Sequence, residues 1–169
     1  MAASLSHRPA SPPAKRPPAA KAAKAVITLN FVDLFHADAM ERVQWIKRGV
    51  PATVVDAMAK RMAMPKEKLT STLGLARATI DRKVRDNKPL SADEGARVLG
   101  MARLVGQVQT LVQDSGNAED FDAAEWVARW LDRPLPALGG QRPADLMDTP
   151  DGQGLVSNLV ARMQGGAYS

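Results

Sequence analysis

MPKEKLTSTLGLARATIDRKVRD, residues Met64 to Asp86, reads as helix, tight turn, helix. Pro65 opens the first helix, because its missing N–H would be unpaired there anyway. Leu69 and Leu73 point inward, and small Thr70 lies where the two helices touch. Gly74 supplies the turn, where a positive φ costs glycine little. Leu75, Ile80 and Val84 pin the second helix at helical spacing. Its outward positions are then Arg77, Thr79, Arg82, Lys83 and Arg85. A helix lying in the major groove needs apolar residues beneath, Arg for guanine edges and phosphates, and Thr for phosphate or thymine. These five residues, about 65–86 in a helix-turn-helix, are the candidate DNA contacts. Asp81 lies among them, where it would repel a phosphate or accept from a cytosine amino group.

Outward from this stretch the chain is almost wholly helical in pattern. Asp38 caps a helix carrying Met40, Val43, Trp45 and Ile46, and Gly49 ends it. Pro51 opens another, with Val54, Val55, Met58 and Met62 spaced for a buried face. Ser91 and Glu94 form a capping box for a long helix. Its apolar stripe runs through Val98, Leu99, Met101, Leu104, Val105, Val108, Leu111 and Val112. Gly116-Asn117 breaks the chain. A further helix is expected from about Ala118 to Leu131, anchored by Trp126 and Trp130 four residues apart on one face. Val26 to Phe31 is the one segment with strand character.

The final 29 residues, QRPADLMDTPDGQGLVSNLVARMQGGAYS from Gln141 to Ser169, run turn, short helix, turn, helix, glycine tail. Thr149 is a natural N-cap, Pro150 fits the first helical position, and Asp151 suits the positive end of the helix dipole. Leu155, Val156, Leu159, Val160 and Met163 recur at helical steps. Gly165-Gly166 stops the helix, leaving Ala167, Tyr168 and Ser169 beyond it.

Charge is unevenly placed within a net +5. Residues 1–25 carry five basic groups and no acid. Residues 41–90 carry 12 basic and 5 acidic groups, and residues 91–169 carry 6 basic and 11 acidic ones. A basic front suits a polyanion and an acidic back does not, so two different partners are implied. The opening Ala/Pro/Lys-rich segment has too little apolar surface to offset ordering entropy, and residues 1–25 are read as a disordered basic arm. Residues 26–114 are read as a helical domain and residues 115–169 as a second, smaller one.

Several functions are excluded or disfavoured. Cysteine is absent, which removes disulfides, thiol catalysis and thiolate metal sites. Two histidines, His7 and His36, do not assemble a metal site, and no cofactor motif is present. Asp145, Asp148 and Asp151 are explained as caps and solvated charge at helix starts. No apolar run spans a bilayer, and the first residues lack a signal-peptide core, so a cytoplasmic, non-enzymatic protein is expected.

The C-terminal layout resembles the toxin-binding domain of the Xre/MbcA/ParS antitoxins, the partners of RES toxins. The resemblance is carried by Trp130-Leu131, Pro134, Gly140, Pro143, Asp145-Leu146, Thr149-Pro150, Gly152, the helical stripe, Gly165 and Tyr168-Ser169. Gly154, inside the final helix, departs from the family pattern. The helix-turn-helix and the NKPLS turn, Asn87 to Ser91, resemble the other half of the same family, so the likeness spans roughly residues 40–169.

The resemblance implies an all-α chain: a helix-turn-helix (Xre/Cro-like) domain, then a small helical toxin-binding domain. It implies an antitoxin that neutralises a RES-type, NAD-degrading toxin and represses its own operon as a homodimer within a larger complex. The final helix would dock at the toxin's active-site mouth. Arg162 and Gln164 would flank the entry, with Gly165, Gly166, Ala167, Tyr168 and Ser169 inside. The residues also admit a free-standing helix-turn-helix regulator whose C-terminal domain binds another ligand or partner.

Overall fold

A computed structural model describes residues 29–116 and 118–164, all of them in helices and connecting turns, with no strand among the described residues. Eight α-helices follow in order. They are α1 (Phe31–His36), α2 (Ala39–Arg48), α3 (Thr53–Arg61), α4 (Lys66–Thr72), α5 (Arg77–Arg85), α6 (Ala92–Asp114), α7 (Ala123–Trp130) and α8 (Pro150–Gln164). Short 3₁₀ turns at Pro136–Leu138 and Pro143–Leu146 lie between α7 and α8. The basic arm falls outside the described residues, as do Gly165 to Ser169.

The local signals explain most helix starts. Asp38 accepts from the Glu41 N–H at 2.8 Å, and Glu41 accepts from the Asp38 N–H in return. Ser91 and Glu94 form the same reciprocal box at the head of α6. Thr149 caps α8 by accepting from the Gly152 N–H at 3.1 Å.

α6 is the spine. At 23 residues it is long enough for α1, α2, α7 and α8 all to pack against it. Its apolar stripe is buried from Val98 to Val108. Gly106 lets α1 lie directly on it: a Cβ there would sit 1.9 Å from the Phe31 carbonyl oxygen. Most of the buried apolar residues form one continuous cluster from Phe31 to Val160, shared by the helix-turn-helix and the C-terminal helices. Burial of this apolar surface supplies most of the drive to fold.

Three expectations are corrected. The strand-like segment ends in a helix, because Asn30 accepts from the Val32 and Asp33 N–H groups and so starts α1 at Phe31. Phe31 is buried there, and Val26 to Thr28 lie outside the described residues. The helix expected from Ala118 begins only at Ala123. Asp120 adopts φ +59°, which breaks the helical path, and Asp122 caps α7 by accepting from the Glu125 N–H at 2.9 Å. Finally, the stripe of α8 divides. Val156, Leu159 and Val160 are buried, whereas Leu155 is 56% and Met163 42% exposed.

Candidate functional surfaces

The first surface is the helix-turn-helix. Leu69, Leu73 and Ile80 are fully buried, and Thr70 is buried with its hydroxyl donating to the Lys66 and Glu67 carbonyls at 3.0 Å. Gly74 turns the chain at φ +62°. Arg97 of α6 donates to the Leu73 and Gly74 carbonyls, both at 2.8 Å. It thereby satisfies carbonyls that the end of α4 leaves unpaired. Sequence reasoning missed Arg97, since its partners lie more than twenty residues away.

Lys66 ties three helices together, its ammonium lying 2.7 Å from Asp56 and 2.6 Å from Asp81. Partial burial alone would lower the Lys66 pKa, but the two carboxylates outweigh it and hold the ammonium above its ordinary range. The hydrogen bond from Lys66 holds the Asp81 carboxyl below its ordinary range. The negative charge in the middle of α5 is therefore engaged by Lys66, and by Arg77 at 3.6 Å, rather than left open.

The five α5 residues divide. Arg77, Arg82 and Arg85 are exposed and Thr79 is half-buried. Arg77 rests against Glu67 at 3.2 Å, and Arg85 lies 3.4 Å from Asp86. These exposed pairs cost little to open. Lys83 departs from its expected outward place. It is half-buried and its ammonium pairs with Glu94 at the head of α6. Burial would raise the Glu94 pKa, but the Lys83 ammonium and the Ser91 N–H outweigh it and hold the carboxyl below its ordinary range.

The second surface is α8. Gly152 is required there, because a Cβ would sit 1.9 Å from the Leu146 carbonyl oxygen. Gly154 faces open space, so nothing in the packing calls for a glycine. Gln107 of α6 and Ser157 of α8 bond reciprocally, and Gln153 donates to the Arg97 and Met147 carbonyls at 3.0 and 2.9 Å. Held this way, α8 turns Gly154, Leu155, Asn158, Ala161, Arg162 and Met163 to solvent. Of the residues expected to meet a toxin, Arg162 is exposed and Gln164 ends the helix, while Gly165, Gly166, Ala167, Tyr168 and Ser169 lie outside the described residues.

No group of three or more His, Cys, Asp or Glu residues among the described ones is placed to hold a metal ion. Among the same residues, no helix is long and apolar enough to cross a membrane.

Comparison with known proteins matches the two segments that carry these surfaces. Residues 118–166 match the model of the antitoxin Xre/MbcA/ParS C-terminal toxin-binding domain. Residues 41–103 match that of the antitoxin Xre-like helix-turn-helix domain. The chain is 41% identical over 136 residues to the Prs ADP-ribosylating antitoxin of Sphingobium sp. (strain YBL2), covering 80% of this chain and 86% of that one. It is 27% identical over 124 residues to antitoxin Xre of Photorhabdus laumondii, covering 73% and 78%. Against antitoxin Xre of Yersinia enterocolitica it is 23% identical over 128 residues, covering 75% and 80%.

Proposed function

Because this chain belongs to the Xre/MbcA/ParS antitoxins, we propose that it neutralises a RES-type toxin that consumes NAD, by laying α8 over the toxin's active-site mouth and inserting the residues beyond Gln164. The observation that carries this reading is the outward face of α8. A helix whose inner face is already packed still presents Leu155 and Met163 to water within the matched toxin-binding segment. Apolar side chains left uncovered on that segment are available for a partner to bury. Tyr168 would be the main anchor of the inserted segment, since an aromatic ring buries much surface at low entropy cost.

The name of the Sphingobium relative refers to ADP-ribosylation of Prs. ADP-ribosyl transfer and NAD degradation both break the bond from the ribose to nicotinamide, so one blocked pocket would stop either outcome. The neutralisation is steric and electrostatic, and the chain supplies no chemistry of its own.

The helix-turn-helix supports a second role, repression of the operon by a homodimer. Two recognition helices about 34 Å apart would read a palindrome with half-sites one turn apart. Footprints limited to a single asymmetric half-site would count against it.

Co-expression with the toxin tests the blocking mechanism. Deleting Gly166 to Ser169 should leave the complex intact, because α8 supplies most of the buried apolar area. The same deletion should release NAD consumption and arrest growth. Full protection by the truncated chain would leave docking of α8, without insertion, as the mechanism.

A further inference from the structure

A groove of about 360 Å³ runs between α1, α2, α6 and α8. Its floor includes Ile46, Leu99 and Leu104, and Gly154 and Asn158 form part of its α8 wall. Two guanidinium groups, Arg42 of α2 and Arg103 of α6, line it, and among the described residues no carboxylate does. Arg42 donates to the Ala37 carbonyl. The Arg103 Nε is buried without a hydrogen-bond partner among the described residues. Burial, and then the like charge of Arg42, push the Arg103 pKa down. Two cations facing one partly desolvated groove are an unfavourable arrangement in the free chain. An anion seated between them would reverse its sign.

We propose that this groove receives a carboxylate side chain of the toxin, so that the docking surface extends beyond the toxin-binding domain onto Arg42 and Arg103. The inference rests on the reading that α8 docks a toxin. Gly154 and Asn158 belong both to the exposed face of α8 and to the groove wall. A partner lying on that face therefore reaches the groove mouth without a gap. The missing side chain at Gly154, which no internal contact explains, leaves that mouth open. The pair of arginines then selects an acidic residue there and rejects a basic one.

Binding of the full chain to purified toxin, measured by calorimetry, tests the proposal. Arg103→Met and Arg42→Gln should each weaken the complex about tenfold or more, as loss of one partner of a desolvated charge pair does. Arg103→Lys should retain part of the affinity. The melting temperature of free Arg103→Met should stay level or rise, because a partly buried charge beside the like charge of Arg42 is removed. Equal affinity of both variants and the parent would overturn the proposal. So would a sharp fall in melting temperature accompanying the lost affinity, which would make Arg103 a structural residue. Saturable binding of inorganic phosphate or ADP-ribose to the free chain, abolished by Arg103→Met, would also overturn it in favour of a small anion. Failure of the unaltered chain to bind toxin at all would instead refute the antitoxin mechanism on which this rests.

Discussion

Gln107 and Ser157 clasp each other across α6 and α8: the Gln107 amide donates to the Ser157 carbonyl at 3.0 Å, and the Ser157 hydroxyl donates to the Gln107 carbonyl oxygen at 2.8 Å. Gln107 is only 6% exposed. A buried amide is tolerated because both of its ends are used. The pair sets the register of α8 on the spine, and so decides which residues of α8 face outward.

Gln107→Leu should therefore destabilise the chain by about 1–3 kcal/mol, since the Ser157 groups lose their partner within a partly buried contact. It should also weaken toxin binding by loosening α8. Chemical denaturation followed by a binding titration checks both, and an unchanged unfolding midpoint would show that the clasp does not hold α8.

Gly154 and Gly106 should respond oppositely to alanine. At Gly154 there is open space, and alanine should add about 0.5–1 kcal/mol through helix propensity. At Gly106 the new methyl would collide with the Phe31 carbonyl, so α1 must move away and stability must fall. Thermal melts of the two variants decide this, and a destabilised Gly154→Ala would mean that the glycine serves a packing role not visible in the fold.

On the recognition helix, Arg77→Ala and Arg82→Ala should each cost about 1–3 kcal/mol of operator binding at fixed salt if bidentate to guanine. Affinity should fall steeply as salt rises. Lys83→Met should chiefly lower stability, because the Lys83 ammonium is held by Glu94. Gel-shift titrations that find Lys83 dominant and Arg82 silent would overturn this division of α5.

The Lys83–Glu94 pair also sets an acid limit. Glu94 has a folded pKa below its ordinary 4.5, so its contribution is present above that value and is lost as pH falls through the folded pKa. Lys66 runs the other way. Its folded pKa lies above 10.5, so its contribution is present below that value and is lost as pH rises through the folded pKa. Glu94→Gln should flatten the acid limb of a stability–pH profile and leave the alkaline limb in place. An unaltered acid limb would remove Glu94 from the account.

The helix-turn-helix was legible before any fold was known, because its signals are local. Proline starts, a glycine turn and leucines at three- and four-residue steps act within one or two turns of chain. The caps at Asp38, Ser91 and Thr149 were legible for the same reason: each bonds to an N–H three residues away. The ordered matches from Trp130 to Gly152 likewise sufficed to point to the family.

Tertiary structure decided the rest. Helical period permits all five apolar residues of α8 to be buried, but in the packed chain only Val156, Leu159 and Val160 are. Which cation of α5 faces outward depends on where Glu94 arrives from α6. Nothing local in the sequence marks Arg97 or Arg103. Only packing shows that one closes the end of α4 and the other faces Arg42 across a groove. Local sequence sets backbone conformation through interactions a few residues long, whereas the partner of a charge is chosen by whichever helix the fold brings beside it.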